Sequence, residues 1–148
     1  MILRDFKVFP RFGRLVGIDW GARRTGVAVS DDSREFVFTR PVIVVRNPGE
    51  LVEKVVDLLG AEHAAGIVIG LPLRTNGTES ETTKKVRAFA DALATKTDLP
   101  IIFVDETLTS STAQESLGRV RRDDIREKLD SESARVILEN AIAVINRG

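Results

Sequence analysis

The sequence predicts an α/β fold built on a single sheet of mixed direction, and three observations carry that prediction. Leu15 to Asp31 reads as two apolar strands joined by a tight turn, and Glu35 to Val45, rich in β-branched and aromatic residues, supplies a third antiparallel strand. Gly66-Ile67-Val68-Ile69-Gly70-Leu71-Pro72 and Ile101-Ile102-Phe103-Val104 are short apolar runs next to Gly or Pro, the pattern of strands buried on both faces in a parallel arrangement. Between and after these runs, apolar residues recur at helical spacing.

In chain order, the first strand ends in Asp19, and its turn holds Gly21, Arg23 and Arg24 before Gly26. Pro41 suits an edge or a bulge in the third strand, because it has no N–H to give a ladder. Asn47-Pro48-Gly49 makes a turn, after which Leu51, Val52, Val55, Leu58 and Leu59 share one helical face. A polar loop, Arg74 to Ser80, follows the fourth strand. Val86, Phe89, Ala90 and Leu93 mark a second helix, and Leu99-Pro100 closes the loop before the fifth strand. Ser111-Thr112-Ala113-Gln114 has capping-box spacing and opens a short helix. Gly118 to Lys128 lacks helical periodicity and reads as a loop. From Asp130, the positions Ala134, Ile137, Leu138, Ala141 and Val144 or Ile145 form the last amphipathic helix.

A chain of 148 residues supports one sizeable core. The division expected is an N-terminal extension, residues 1–14, and a single domain, residues 15–148. The absence of cysteine excludes disulfides, zinc–thiolate sites and thiol nucleophiles, and a single histidine disfavours most triads. Hydrolytic chemistry would have to rest on carboxylates, hydroxyls, Lys or Arg and a hard metal ion. No apolar run approaches the roughly 20 residues that span a bilayer. Charges in Met1-Ile2-Leu3-Arg4-Asp5-Phe6-Lys7 stand where a signal peptide would be apolar, so a soluble, unexported protein is expected. Net charge is zero, which argues against holding nucleic acid by overall charge. Residues 1–24 nevertheless carry Arg4, Lys7, Arg11, Arg14, Arg23 and Arg24 against Asp5 and Asp19, a locally basic region compatible with a phosphate-bearing substrate.

Three carboxylates stand out. Asp19 follows Val16-Gly17-Ile18, where an isolated buried carboxylate would be costly, so it must be solvated, paired or bound to metal. Glu106 follows the fifth strand, and Asp130 opens the final helix. Strands paired in mid-sheet bring their ends together, and a helix across that edge can add a third group. Such a cluster suits magnesium, a hard cation that takes oxygen ligands. Two ions about 3.5–4 Å apart can activate water and stabilise a leaving oxygen. Arg23 and Arg24 are placed to hold a phosphate if the turn folds over the site.

Taken alone, each residue also has a plainer reading. Asp19 can cap its own turn, Asp105 and Glu106 can be solvated, and Asp130 can be a helix N-cap. Arg23 and Arg24 can be solvated turn residues. Arg119, Arg121 and Arg122 can grip a nucleic-acid backbone or sit in a loop neutralised by Asp123, Asp124 and Glu127. His63 suits a helix end, Asn76-Gly77 a tight turn, and Trp20 packing at the sheet edge.

Four stretches together resemble the YqgF or RuvX-type family, described as pre-16S rRNA nucleases and as Holliday junction resolvases. They are Gly17-Ile18-Asp19-Trp20-Gly21 with Arg23 to Asp31; Gly70-Leu71-Pro72-Leu73 with Gly77-Thr78; Val104-Asp105-Glu106-Thr107-Leu108-Thr109; and Asp130 with Ser133-Ala134 and Ile137-Leu138. They run in the family's order from about residue 15 to the end. The resemblance implies a ribonuclease H-like fold, an α/β mixed five-stranded sheet flanked by helices. It implies that Asp19, Glu106 and Asp130 are the catalytic, metal-holding triad, served by two Mg²⁺ or Mn²⁺ ions. It further implies a bacterial cytoplasmic nuclease with structured RNA as partner, maturing the 5′ end of 16S ribosomal RNA within a precursor ribosomal particle, with no membrane association.

Thr107 stands where the family commonly has Arg, which moves or removes a phosphate contact. Ser133-Ala134 replaces Ala-Ala, a small-for-small change. The first dozen residues lie outside the resemblance. A junction-resolving DNA endonuclease would use the same chemistry, and a non-catalytic RNA-binding factor would keep the same fold. A sugar-kinase or actin-type nucleotide site would need a second phosphate hairpin and two lobes, for which the chain is too short.

Overall fold

The computed structural model describes residues 1–106 and 131–147 in full and the backbone alone of 122–130. Its six-stranded sheet has the order β1-β6-β5-β2-β3-β4. Strands β2 (Leu15–Asp19), β3 (Arg24–Ser30) and β4 (Val37–Val44) form an antiparallel meander. Strand β5 (Gly66–Pro72) pairs parallel with β2, and β6 (Ile101–Glu106) pairs parallel with β5. These are the five strands expected from the sequence. A sixth, β1 (Ile2–Leu3), comes from the N-terminal segment and adds to β6 in parallel.

Helices α1 (Pro48–Glu62) and α2 (Glu81–Ala94) cover one face of the sheet, and α3 (Arg122–Arg147) crosses the other. The two-residue period of a strand sorts the side chains between these layers. Val16, Ile18, Ile67 and Ile69 point into the core under α1 and α2, whereas Leu15, Val68 and Ile102 meet Ala134, Leu138 and Ala141 of α3. Phe9, only 2% exposed, joins the α3 side of the core. A Cβ on Gly66 would come within 2.6 Å of the Phe9 ring, so that glycine makes the ring's seat.

Local chemistry sets the element ends. The Asn47 side chain accepts the Glu50 N–H with Pro48 in the first turn, so the expected turn is itself the start of α1. His63 ends α1 in a left-handed conformation, φ 53°. Ser80 and Thr83 form a capping box at α2, and the buried Thr83 hydroxyl also donates to the Pro72 carbonyl, tying α2 to the end of β5. Pro41 lies in an edge strand, where the β3–β4 register shifts between Thr25 and Val27. Helix α3 corrects the sequence reading, because it begins at Arg122, eight residues before Asp130. Asp130 is therefore inside the helix and not at its cap. Arg122 to Leu129 has no Gly or Pro and consists mainly of strong helix formers, so propensity continues the helix where apolar periodicity is missing.

Candidate active site at the carboxyl ends of β2 and β6

The site is built from the parity of the strands. Gly17 faces α3, where an added Cβ would lie 2.8 Å from the Leu138 Cβ and 3.0 Å from the Ala134 carbonyl oxygen. Asp19, two residues on, therefore projects from the same face, at the carboxyl end of β2. Across the antiparallel ladder its partner is Gly26, so no side chain of β3 stands opposite it. On the other side, one step past the Ile18–Ile69 pair of the parallel ladder, is Gly70. Asp19 thus stands between two residues without side chains, half-buried at the sheet's rim.

Glu106 ends β6, opposite Pro72. With Ile102 and Val104 it belongs to the α3 face, and its Cγ lies 3.5 Å from where a Gly70 Cβ would stand. Glu106 accordingly leans back over β5 toward the position beside Asp19. The Asn140 Nδ2 of α3 donates to Glu106 Oε1 at 3.3 Å, and the Leu73 N–H donates to the Glu106 carbonyl at 3.0 Å. Asp105 has opposite parity and is exposed on the α1–α2 face, away from Glu106.

The turn after Asp19 is tightly closed. A Cβ on Gly21 would strike the Arg24 carbonyl oxygen, so only glycine fits there. The buried Thr25 hydroxyl accepts the Gly21 N–H at 3.3 Å and donates to the Gly21 carbonyl at 3.2 Å. Arg24 shares the α3-face parity of Gly26 and hence the face of Asp19, while Arg23 is exposed within the turn. Trp20 packs against the α1–α2 core. Gly77, with φ 81°, forms a turn with Asn76, and its hairpin follows β5 directly beside the end of β6.

The structure thus places Asp19 and Glu106 on one face of the sheet. The Asp130 backbone lies in α3, four residues before Ala134, and its carboxylate lies outside the described residues. Among the described residues no three acidic, histidine or cysteine side chains form a cation-binding group. Thr107, the Ser111–Gln114 capping box, Arg119 and Arg121 also lie outside the described residues. Sequence reasoning missed Asn140 and Thr25. Asn140 carried no signal, since it is an exposed polar residue beside the buried stripe of Ile137, Leu138 and Ala141, and its bond to Glu106 joins residues far apart in the chain.

The RuvX family model, described as "Holliday junction resolvase", matches residues 13–143. This chain belongs to the RuvX family. A relative from Maridesulfovibrio salexigens, named "Putative pre-16S rRNA nuclease", is 36% identical over 88% of this chain and 98% of its own. One from Rickettsia canadensis with the same name is 32% identical over 99% of both chains. Among solved structures, RuvC from T. thermophilus in complex with a Holliday junction substrate matches with a TM-score of 0.58 at 14% identity, covering 91% of this chain and 96% of that one. The fowlpox virus Holliday junction resolvase matches with a TM-score of 0.51 at 12% identity, covering 91% and 99%. At such identities these two share the fold with the RuvX chain, a ribonuclease H-like α/β sheet.

Proposed function

We propose that this RuvX-family chain is a metal-dependent nuclease that hydrolyses phosphodiester bonds in structured RNA, maturing the 5′ end of precursor 16S ribosomal RNA in the cytoplasm. The observation that carries the reading is the pair of carboxylates, Asp19 and Glu106, on one sheet face in a chain whose full-length relatives are named for that activity. No described helix is long and apolar enough to cross a membrane.

The donors fit a hard divalent cation, being carboxylate oxygens at a half-exposed rim of the sheet. Asp19, Glu106 and Asp130 are the residues that would hold Mg²⁺ or Mn²⁺, with two ions the preferred count. When bound, such ions make water nucleophilic and stabilise the leaving oxygen. Asn140 fixes the rotamer of Glu106, as outer hydrogen bonds orient ligating carboxylates. Thr25 and Gly21 keep the turn rigid, so Asp19 is presented at a fixed height. Arg24, on the face of Asp19, and Arg23, in the turn, supply positive charge to a phosphate arriving over β2.

The test incubates the purified protein with precursor 16S rRNA, duplex DNA and a four-way DNA junction, each with Mg²⁺, Mn²⁺ or chelator, beside Asp19→Asn and Glu106→Gln. Metal-dependent cleavage of the RNA that both substitutions abolish is expected. Cleavage that survives both would overturn the site, and cleavage of the junction alone would make the protein a DNA endonuclease.

A further inference from the structure

We propose that a groove running from the carboxyl end of β6 to the N-terminal segment is a second nucleic-acid contact, which grips the phosphate backbone of a single strand flanking the cleavage site. The inference rests on the nuclease reading but uses none of its residues. Strand β1 pairs with Ile101 and Ile102, and among the described residues no strand pairs with the outer edge of β6 beyond Ile102. A groove of about 790 Å³ opens there, with Arg4 and Phe6 on one side and Val104 and Asp105 on the other. A second hollow of about 380 Å³ shares Arg4, Phe6 and Val144 with the first and adds Lys7, Arg11 and Arg147. The two form one path. It starts beside Glu106 and reaches the Ile102 level about 13 Å away, four residues along a strand.

The charge changes along the path: Asp91 and Asp105 line its start near β6, whereas cations predominate in the N-terminal hollow. Arg4, Lys7, Arg11 and Arg147 are exposed and make no ion pair among the described residues, although the chain as a whole is neutral. The one carboxylate lining the N-terminal hollow is Asp5, whose Oδ1 accepts the Lys7 N–H at 2.9 Å and caps the short 3₁₀ helix Phe6–Val8. Clustered cations that the protein itself does not neutralise are the footprint of a polyanion.

The segment is also held in shape. Arg34, 6% exposed, donates from Nε to the Gly13 carbonyl at 2.9 Å, from Nη1 to Pro10 at 2.6 Å and from Nη2 to Phe12 at 3.0 Å. A buried guanidinium is costly unless hydrogen-bonded, and here three carbonyls of one loop satisfy it. With the backbone pinned, the side chains of Arg11 and Phe12 stay outside, Phe12 at 83% exposure. A ring fixed in water next to unpaired cations is the combination on which single-stranded bases stack while phosphates are held. This combination favours nucleic acid over an acidic protein surface.

The measurement is the affinity for a labelled 20-nucleotide RNA strand in chelator, as a function of KCl. The variants are Lys7→Glu/Arg11→Glu, Arg147→Glu, Phe12→Ala and, as a control on net charge at the end of α2, Lys96→Glu. The double reversal should weaken binding and flatten the plot of log affinity against log salt by about 1.4, since each phosphate contact on a single strand contributes about 0.7. Phe12→Ala should weaken binding without changing that slope, and Lys96→Glu should change neither. With Mg²⁺, the double variant should raise KM for a long substrate and leave kcat on a six-nucleotide substrate unchanged. Wild-type affinity and slope in the double variant, or an equal loss in Lys96→Glu, would overturn the groove. Failure of the nuclease reading would show separately, as RNA that binds and is not cut.

Discussion

Replacing Gly17 or Gly70 by alanine should fail in different ways, because the atoms above them differ in freedom. Over Gly70 the nearest obstacles are the tip and Cγ1 of Ile137, a side-chain end that can turn away. Gly70→Ala should cost about 1–3 kcal/mol, and Ile137→Val should recover part of the loss in the double variant. Over Gly17 the obstacles are the Leu138 Cβ at 2.8 Å and the Ala134 carbonyl at 3.0 Å, both fixed to the helix. Gly17→Ala should cost more, and Leu138→Ala should not rescue it. Urea denaturation of the single and double variants reads the coupling directly. Asn140 is a positioning residue of another kind, since it is exposed and, among the described residues, touches the site through Glu106. Asn140→Ala should lower activity or metal affinity by about 10–100-fold. It should raise the Mg²⁺ concentration for half-maximal cleavage and leave Tm unchanged, whereas a merely structural role would move Tm.

Element ends show how side chains tie the layers together, and one tie is sensitive to pH. Glu62, in the last turn of α1, bonds Arg40 of β4 at 2.8 Å and Arg14, just before β2, at 3.0 Å. The hydrogen bond from Arg40 holds its carboxyl below the ordinary range, with further help from the charges of Arg40 and Arg14 against partial burial. A carboxyl depressed in the folded state stabilises the protein above its unfolded pKa of about 4.3, and that contribution disappears as pH falls through the folded value. Glu62→Gln should therefore lower stability by about 1–2 kcal/mol at pH 7. The gap from wild type should close below about pH 4. Thermal melts from pH 3 to 7 check this, and a gap that persisted at pH 3 would assign the effect to packing. Helices α1 and α2 were legible from their apolar stripes, whereas their caps, Asn47 and the Ser80–Thr83 pair, fell in segments that read as a turn and a polar loop. The start of α3 was not legible, because Arg122 to Leu129 is helical by propensity and polar in pattern, which periodicity cannot detect.

At the scale of the whole molecule, the sequence made the central strands readable because both of their faces are buried, so apolar runs marked them without ambiguity. It also showed Asp19 as an acid out of place after an apolar strand. It could not show that Gly26 and Gly70 flank that acid, because register joins residues far apart in the chain. Nor did it place the first residues, where two apolar positions, Ile2 and Leu3, are too short a run to announce a strand. Phe9 is the quantity at stake in that segment. Its ring fills the place of a side chain at Gly66 and touches the edge of Phe6, with centroids 6.4 Å apart, so the N-terminal segment closes the core under α3. Phe9→Ala should cost about 3–5 kcal/mol, far more than an appendage would. Gly66→Ala in the native protein forces a Cβ to 2.6 Å from that ring, with Leu15 Cδ2 the next obstacle at 3.1 Å. Once the ring is gone the methyl enters the vacated space. Gly66→Ala should thus destabilise the wild type yet be neutral or stabilising on the Phe9→Ala background. Chemical denaturation of the four proteins measures that reversal, and strictly additive losses would mean that Phe9 and Gly66 do not share the space.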